Sequence, residues 1–193
     1  MRIISGSLRG RTYKAPQDPG VRPISGRIKK SLFDIIRGLL PDCRFLDLFA
    51  GTGAVGIEAL SLGAGHVVFV DLDKDCVANI QATVTCMGVG ARARSVFGNA
   101  LSDLSWLPFR AGVQQFDLIF LGPPYKDLEK RPLAYSGKAM ARVAAANLLA
   151  PKGWMICMHQ VKEDVPAPEG FERVRREKYG DTFLDFFREK AAS

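Results

Sequence analysis

FLDLFAGTGAVG, residues 45–56, is the stretch that decides the fold of this chain. An apolar run reaches Asp47 and passes directly into a glycine-rich turn, which helix-forming residues follow. Gly51 and Gly53 allow the backbone to turn sharply and to approach a ligand closely, and the helix N-terminus beyond them offers unpaired N–H groups. The stretch therefore predicts a buried strand, a loop that binds a polar ligand, and a helix.

The alternation of strand and helix continues along the chain after this stretch. Such alternation with short connections is typical of a doubly wound, mostly parallel sheet that is covered on both faces. Two further strand-like runs are separated only by Gly180-Asp181, which predicts an antiparallel hairpin at the C-terminus. The predicted fold class is therefore α/β, with a seven-stranded Rossmann-like sheet. The predicted strands are 45–49, 66–71, 93–97, 116–121, 153–158, 171–179 and 182–188, and the helices are 54–63, 74–87, 101–107 and 135–149.

The chain before this alternation has a different organisation. Residues 1–23 predict a basic hairpin followed by a connector that is rich in proline and glycine. Ser25 is the predicted N-cap of a helix over residues 25–40, whose apolar stripe extends to Leu39. We therefore expect an N-terminal appendage and a main domain that covers residues 24–193 and includes this basic helix.

Positive charge is concentrated near the N-terminus. Residues 1–44 contain ten basic and three acidic residues, a net charge of +7 that equals the net charge of all 193 residues. The rest of the chain has 17 residues of each sign. A local cationic surface suits a polyanion such as nucleic acid, and a solvated extension that aids solubility is the alternative interpretation.

Composition gives no indication of a membrane-bound or secreted protein. No run approaches the roughly 20 apolar residues that span a bilayer, and the N-terminus lacks the apolar core of a signal peptide. Cys43, Cys76, Cys86 and Cys157 are scattered without the spacing of metal ligands, which favours buried free thiols. We therefore expect a cytoplasmic protein without a metal ion.

Polar residues follow the ends of three predicted strands. Asp47 ends the first strand, Asp71 ends the second, and Asn99 follows the third. In a doubly wound fold these strand ends meet at the edge where ligands bind. The carboxylate of Asp71 can accept both hydroxyls of a ribose, although it could instead cap the next helix, a role that Asp73 fits better. The amide of Asn99 can meet an adenine edge, and a simple turn is the alternative.

The glycines of the first loop are also compatible with a dinucleotide. Gly51, Gly53 and Gly56 satisfy the pattern G-x-G-x-x-G, with Asp71 about 20 residues further along the chain. A nicotinamide or flavin cofactor is therefore an alternative ligand. Asp47 argues against it, because a carboxylate beside the glycines would repel a pyrophosphate and favour a cation. S-adenosylmethionine has an ammonium and a sulfonium group and no phosphate.

Gly122-Pro123-Pro124-Tyr125 directly follows the strand predicted over residues 116–121. Two prolines fix φ and offer no N–H, so the strand must end there and its last carbonyl oxygens stay available to an amine. The ring of Tyr125 provides a flat apolar face for a planar heterocycle. A proline-rich turn closed by an aromatic residue is the alternative interpretation.

Taken in order, these motifs resemble the bacterial family of 16S ribosomal RNA guanine-N2 methyltransferases. The resemblance covers nearly the whole chain. It implies a class I methyltransferase fold, S-adenosylmethionine as the methyl donor, and methylation of the exocyclic amine of a guanine in small-subunit RNA. It further implies that the substrate is 16S ribosomal RNA or a partly assembled small subunit, and we expect a monomer. The matching residues are Arg9-Gly10-Arg11, Arg22-Pro23, Arg27, Phe33, 47–53, Asp71, Asn99, 123–125 and Tyr179-Gly180-Asp181-Thr182.

The same resemblance implies roles for individual residues. Asp47 would face the methionine part of the cofactor, Asp71 would hold its ribose and Asn99 would lie near its adenine. The full implied cofactor set is Asp47, Phe49, Ala50, Gly51, Thr52, Gly53, Asp71, Leu72, Asn99 and Ala100. The target base would be received by Gly122, Pro123, Pro124 and Tyr125, with Tyr125 stacked on a guanine withdrawn from its helix or loop. The RNA phosphates would be bound by Arg9, Arg11, Arg22, Arg27, Lys29 and Lys30.

The chain departs from the family pattern at three positions. Gly122 stands where family members have Asp or Asn, whose side chain holds the amine together with the carbonyl of the first proline. Gly26 and Lys30 replace acids and leave the N-terminal helix more basic. The departure at Gly122 keeps open a catalytically weakened or inactive RNA-binding or assembly factor on the same fold. An adenine-N6 methyltransferase is a further alternative, for which this chain has no room for the usual large recognition domain.

Overall fold

The computed structural model describes residues 1–14, 24–125, 129 and 131–191 of the chain. Within these residues the strands form one sheet with the order β3-β2-β1-β4-β5-β7-β6. The pairs from β3 to β5 are all parallel, whereas β7 is antiparallel to both β5 and β6. The prediction of a mostly parallel, seven-stranded sheet with an antiparallel C-terminal hairpin is therefore confirmed. The strands are β1 (Arg44–Leu48), β2 (His66–Asp71), β3 (Ala93–Phe97), β4 (Phe116–Leu121), β5 (Leu149–Gln160), β6 (Phe171–Tyr179) and β7 (Thr182–Glu189).

Helices cover both faces of this sheet. The described part of the chain contains α1 (Gly26–Ile36), α2 (Ala54–Ser61), α3 (Lys74–Cys86), α4 (Leu107–Ala111) and α5 (Ser136–Ala145). Apolar residues of α1, α2 and α3 pack in one core cluster with Phe45 and Phe120. Residues of α4 and α5 pack in a second cluster with Leu46 and Ile119 on the opposite face. Among the described residues no helix has the length and apolar character needed to cross a bilayer.

Three helix predictions need correction, and the first is the helix expected over residues 135–149, which ends at Ala145 because Leu149 already begins β5. The helix expected near residues 101–107 begins at Leu107 instead, because Pro108 is tolerated only in the first turn of a helix. Ser25 caps α1 as predicted by accepting the N–H of Ile28. However, α1 ends at Ile36 and a 3₁₀ turn follows, so Leu39 is 41% exposed and does not extend the apolar stripe.

The cysteines are free thiols among the described residues, and three of them are buried as predicted. Cys86 is exposed, which corrects the expectation of burial. It is the last residue of α3, at a helix end that faces solvent.

The N-terminal hairpin packs against α2. An isolated antiparallel bridge joins Arg2 to Thr12, and the side chains of Ile3 and Leu8 are buried in the first core cluster. The buried carboxylate of Glu58 on α2 accepts backbone N–H groups from Ile4 and Ser5 of the hairpin. This short segment, which is too small for a core of its own, therefore contributes to the core of the sheet domain.

Candidate cofactor and target-base site

The predicted cofactor and base residues meet at one edge of the sheet. Asp47 lies near the carboxyl end of β1 and Asp71 ends β2. Asn99 follows β3, and Gly122 comes directly after β4. Because these four strands are adjacent and parallel, their carboxyl ends share one edge, which is where ligands bind in open α/β sheets.

The glycine-rich loop is held by backbone hydrogen bonds to the two carboxylates. The N–H of Gly51 donates to Asp71 Oδ2 at 2.6 Å, and the N–H of Gly56 donates to Asp47 Oδ2 at 2.9 Å. Gly53 precedes α2 with φ of 73°, and a Cβ there would lie 2.9 Å from Ile80. A Cβ on Gly56 would lie only 2.2 Å from the ring of Phe69. The loop and the first turn of α2 therefore leave no room for side chains at these two glycines.

Asp47 is a buried carboxyl group in a position to bind a cation. Its side chain is 1% exposed, and within the described residues no lysine or arginine forms an ion pair with it. Burial raises its pKa to about 8, the nearby charge of Asp71 acts in the same direction, and the Gly56 N–H opposes the shift. A buried acid without a basic partner fits the ammonium group of S-adenosylmethionine, which would favour the charged carboxylate.

Asp71 is oriented by the backbone on both sides. Its two carboxylate oxygens accept the N–H groups of Gly51 and Asp73, and each oxygen keeps a second lone pair for a ribose hydroxyl. Asp73 caps α3 by accepting the N–H groups of Asp75 and Cys76. Leu72 between them is 62% exposed, so it offers an apolar surface next to the carboxylate of Asp71.

Asn99 forms a turn at this edge, whereas the following Ala100 is buried. The Asn99 Oδ1 atom accepts the N–H of Leu101 at 2.9 Å. Asn99 therefore has the turn role that the sequence offered as the alternative. Its side-chain NH₂ group is still able to donate a hydrogen bond to an adenine. Phe49, at the other side of the loop, has φ of 60°, an uncommon conformation for an aromatic residue that is typical of ligand-binding turns.

The loop predicted to receive the target base continues from β4. The N–H of Gly122 still donates to Leu48 of β1 at 3.3 Å, and ladder pairing stops at the prolines. Pro123 is buried, Pro124 is exposed and Tyr125 is half-buried. The carbonyl of Tyr125 accepts the N–H of Leu133 at 2.9 Å, so this carbonyl is not available to an amine.

The environment of Gly122 is apolar on the side where a side chain would project. A Cβ at this position would lie 2.9 Å from Phe120 Cε1 and 3.6 Å from Met158 Cε. Phe120 is 3% exposed and belongs to the core cluster under α1. A side chain at position 122, where family members have Asp or Asn, would thus lie against an aromatic ring and a methionine methyl group.

One of the predicted RNA-binding residues is buried. Lys29 is 4% exposed, pairs with Glu58 at 2.7 Å and donates to the carbonyl of Arg2. The prediction that Lys29 contacts phosphates is therefore wrong, because this ammonium group neutralises a buried carboxylate inside the domain. Its neighbour Lys30 is exposed and forms a surface pair with Asp34.

Arg11 of the hairpin lies far from the site. The guanidinium of Arg11 donates to the carbonyls of Cys86 and Met87 at the C-terminal end of α3, where a cation is favourable. Since α3 begins at the site edge and has 13 residues, its C-terminal end lies about 20 Å from that edge. Arg9 and Arg27 are exposed, and Arg22 lies outside the described residues.

Two residues near the site were not identified from the sequence. The Tyr13 hydroxyl interacts with the Thr52 side chain, and burial raises the pKa of Tyr13, with Asp47 and Glu58 adding to the shift. Glu58 links the hairpin, α1 and α2 through its hydrogen bonds and its pair with Lys29. No local sequence signal marks either residue, because their partners lie many positions away along the chain.

The chain is similar to known proteins both in sequence and in structure. The family described as Conserved hypothetical protein 95 matches residues 1–188. Ribosomal RNA small subunit methyltransferase D of Escherichia coli K12 is 33% identical over 155 residues, which cover 80% of this chain and 69% of that protein. YlbH of Bacillus subtilis is 31% identical over 191 residues, covering 98% of this chain and 100% of that protein. The solved yhhF protein of Escherichia coli superposes with a TM-score of 0.80 at 25% identity, covering 100% of this chain and 99% of that one.

Proposed function

This chain belongs to the Conserved hypothetical protein 95 family, and we propose that it transfers a methyl group from S-adenosylmethionine to the exocyclic N2 of a guanine in 16S ribosomal RNA. The relatives named ribosomal RNA small subunit methyltransferase D in Escherichia coli and Haemophilus influenzae support the activity and the substrate class. The assignment to guanine N2 rests on the family resemblance that the sequence motifs carry. We further propose that it acts as a monomer in the cytoplasm, on the RNA or on a partly assembled subunit.

One observation supports this function more than any other. The buried carboxyl of Asp47, which has no basic partner among the described residues, lies at the same sheet edge as the loop that begins at Gly122. The cationic cofactor and the planar base whose amine accepts the methyl group would therefore be held side by side. A dinucleotide does not fit equally well, because its pyrophosphate would lie beside Asp47 and Asp71.

The residues of the loop and strand ends are suited to hold the cofactor. When bound, S-adenosylmethionine supplies a methyl group that its sulfonium activates for transfer. Asp47 would hold the ammonium group, Asp71 would accept the ribose hydroxyls, and Leu72 would cover an apolar part of the ligand. Gly51 and Gly53 let the backbone approach closely because neither position carries a side chain.

The chain's contribution to methyl transfer would be mainly one of orientation. The lone pair of guanine N2 is delocalised into the ring, so the amine must be fixed in line with the methyl group, and such positioning supplies much of the rate. The carbonyl of Pro123 would accept an amine hydrogen, and Tyr125 would stack on the base. With Gly122 in place of Asp or Asn, the second hydrogen of the amine has no side-chain acceptor at this position.

The apolar surroundings of Gly122 favour a second candidate function. A protein that binds RNA and cofactor without turnover needs no polar anchor, and Phe120 lies where the anchor would begin. Such a protein would act as an assembly factor on the same fold. The two candidates differ in whether a methylated nucleoside is formed.

Transfer of labelled methyl from S-adenosylmethionine to 16S RNA and to small subunits that lack the modification tests the proposal. After digestion, nucleoside analysis should yield N2-methylguanosine. Cofactor binding with no labelled nucleoside would favour the assembly factor, and N6-methyladenosine would favour the adenine-N6 alternative. Comparison of naked RNA with subunits identifies the form of the substrate, and sedimentation of the protein checks the monomer.

A further inference from the structure

A patch of aromatic and cationic side chains lines the outer edge of β3, which is an edge strand of the sheet. The Lys74 ammonium lies 5.2 Å from the ring centroid of Phe97. The Trp106 ring packs against the backbone of Gly98, the residue after Phe97, and the Arg110 guanidinium lies 5.8 Å from the Trp106 centroid. We call this surface the β3-edge patch, and its members are Lys74, Arg94, Phe97, Trp106 and Arg110, together with Phe109, which directly precedes Arg110 on α4.

Two of the three aromatic members of the patch are exposed. Phe109 is 91% exposed and Phe97 is 42% exposed. Burial of a phenylalanine side chain typically contributes about 1.5–3 kcal/mol, and Phe109 gains almost none of that stabilisation. Since the neighbouring Leu107 and Ala111 of α4 are fully or nearly fully buried, the short helix directs its apolar residues to the core and Phe109 to solvent. Its ring is therefore available to a partner.

The patch is positively charged. Arg94, Phe97 and Arg110 line one surface cavity, together with Ser95. The Ser95 hydroxyl oxygen is buried and has no hydrogen-bond partner in the described part of the chain. Of the nearby acids, Asp73 already accepts two N–H groups of α3 and Asp103 accepts from Ser105; Asp75 in the first turn of α3 is exposed. Three cations therefore face solvent beside two exposed rings.

We infer that the β3-edge patch binds a single-stranded segment of the RNA substrate, next to the nucleotide that enters the site. The inference rests on the proposed function for the identity of the RNA. Exposed aromatic rings stack on unpaired bases, and arginine and lysine side chains between them contact phosphates. Strands β3 and β4 are separated by three strand spacings, so the patch begins about 14 Å from the base loop. An RNA strand leaving the target nucleotide reaches this distance within a few nucleotides.

The patch also places cations on the β3 side of the cofactor and base site, where the predicted RNA-binding residues Lys29 and Arg11 supply none. Lys29 is buried, and Arg11 is bound at the opposite end of α3. Lys74, in contrast, is the first residue of α3, three positions after Asp71 at the carboxyl end of β2. RNA that follows the β3 edge would pass the cofactor site and continue towards Arg94 and Arg110.

Binding of a single-stranded RNA about 16 nucleotides long, with 2-aminopurine in place of one base, tests this inference. Phe109→Ala should weaken binding roughly fivefold to a hundredfold and relieve the quenching of 2-aminopurine. Phe109→Trp should retain both, because it keeps a stacking ring. Leu39→Ala removes an apolar side chain that is 41% exposed on another surface and should leave binding unchanged.

Salt dependence tests the cationic half of the patch. The double variant Arg94→Gln, Arg110→Gln should reduce the slope of log affinity against log salt by about 1.4, since each phosphate contact on a single strand contributes about 0.7. Arg175→Gln, which removes an exposed arginine that pairs with Glu177 on β6, should not change the slope. A duplex of the same sequence should show no loss with Phe109→Ala, because its bases are already stacked.

The outcome for the patch is separable from the outcome for the proposed function. Affinity for S-adenosylmethionine should be the same in all these variants. If the wild-type protein methylates 16S RNA but Phe109→Ala and the double arginine variant bind RNA as the wild type does, the patch inference is overturned and the function stands. If the wild type forms no methylated nucleoside yet the variants lose RNA binding, the function fails and the patch inference stands.

Discussion

The loop that is suited to the cofactor and the loop that is suited to the target base lie at the same sheet edge but are held in different ways. In the cofactor loop, Asp47 and Asp71 each accept a backbone N–H from the glycine-rich segment. The base loop leaves the sheet after one backbone hydrogen bond from Gly122, and Gly122 offers no side chain. The first loop is thus preorganised by two carboxyl side chains, whereas the second relies on backbone carbonyls and one aromatic ring.

This difference predicts where the chain is sensitive to substitution. Changes in the cofactor loop remove interactions that serve both the ligand and the fold, so they should have large effects. Changes at Gly122 act on an interaction that the chain already lacks, so they should have smaller effects, some of them favourable. Four measurements test the contrast.

Asp47→Asn should have the largest effect on ligand binding. Loss of the charged partner of the cofactor ammonium removes a charge-assisted hydrogen bond, which is worth about 1.5–3 kcal/mol and corresponds to roughly tenfold to a hundredfold weaker binding. Calorimetric titration with S-adenosylmethionine measures the change. Thermal unfolding without ligand is the control, since the variant should be at least as stable as the wild type. Unchanged affinity would show that Asp47 does not contact the ammonium.

Gly56→Ala should destabilise the domain by about 1–3 kcal/mol. The new Cβ would lie 2.2 Å from the ring of Phe69, which is 1% exposed and cannot move into solvent. Gly137→Ala is a matched control, because Gly137 is also helical and has open space where its Cβ would be; it should be neutral or slightly stabilising. Urea unfolding of both variants gives the comparison, and equal stabilities would contradict the close packing of α2 on β2.

The stability of the ligand-free protein should depend on pH through Asp47. Its pKa is about 8 in the folded state and about 4 in the unfolded chain, so its contribution is fully present below pH 4. As pH rises towards 8, the unfolded chain is ionised while the folded state stays protonated. The free energy of unfolding should therefore fall by at most about 1.4 kcal/mol per pH unit.

Asp47→Asn removes this titrating group, and the difference between the two proteins should grow from about pH 4 to pH 8 and then level off. Urea unfolding across this range measures the difference. Asp185 does not interfere, because hydrogen bonds from Arg176 and His159 lower its pKa to about 2. A difference between wild type and variant that is independent of pH would show that Asp47 is already ionised at neutral pH.

The sequence was sufficient for the sheet and for the edge where the site lies. Alternating apolar runs predicted strands such as 66–71 and 116–121 at their observed bounds, because buried parallel strands read as continuous apolar segments. The parallel topology then placed the glycine-rich loop and the acids at the strand ends on one edge of the sheet. Local chemistry of this kind depends on residues that are neighbours in the chain.

Predictions failed where the deciding partner is distant in sequence. Lys29 belongs to a basic stripe on α1, and nothing in that stripe indicates that Glu58 lies against it. The balanced count of charges after residue 44 likewise concealed the β3-edge patch. Equal numbers of acids and bases say nothing about their positions on the surface, and the cations of β3 and α4 face solvent where few acids lie.

Gly122→Asp should have the smallest effect of the four and the opposite sign for catalysis. The new carboxylate restores an acceptor for the amine, and one positioned hydrogen bond of about 1.4 kcal/mol corresponds to about a tenfold faster methyl transfer. The added Cβ lies 2.9 Å from Phe120 Cε1, so the ring must move and part of the gain is lost. Gly122→Ala isolates that cost, since it introduces the same Cβ without an acceptor.

The ratio of the Asp variant to the Ala variant therefore reports the value of the anchor alone. With cofactor affinity unchanged in both, a ratio near ten means that the base loop is an active site that lacks one contact. A ratio near one, with RNA binding intact, means that the base is oriented by the Pro123 carbonyl and Tyr125 without help from position 122. In that case the two loops differ in the groups that they use and not in how well they position a ligand. The Pro123 carbonyl and the Tyr125 ring suffice to orient the base, whereas the cofactor loop uses carboxyl groups.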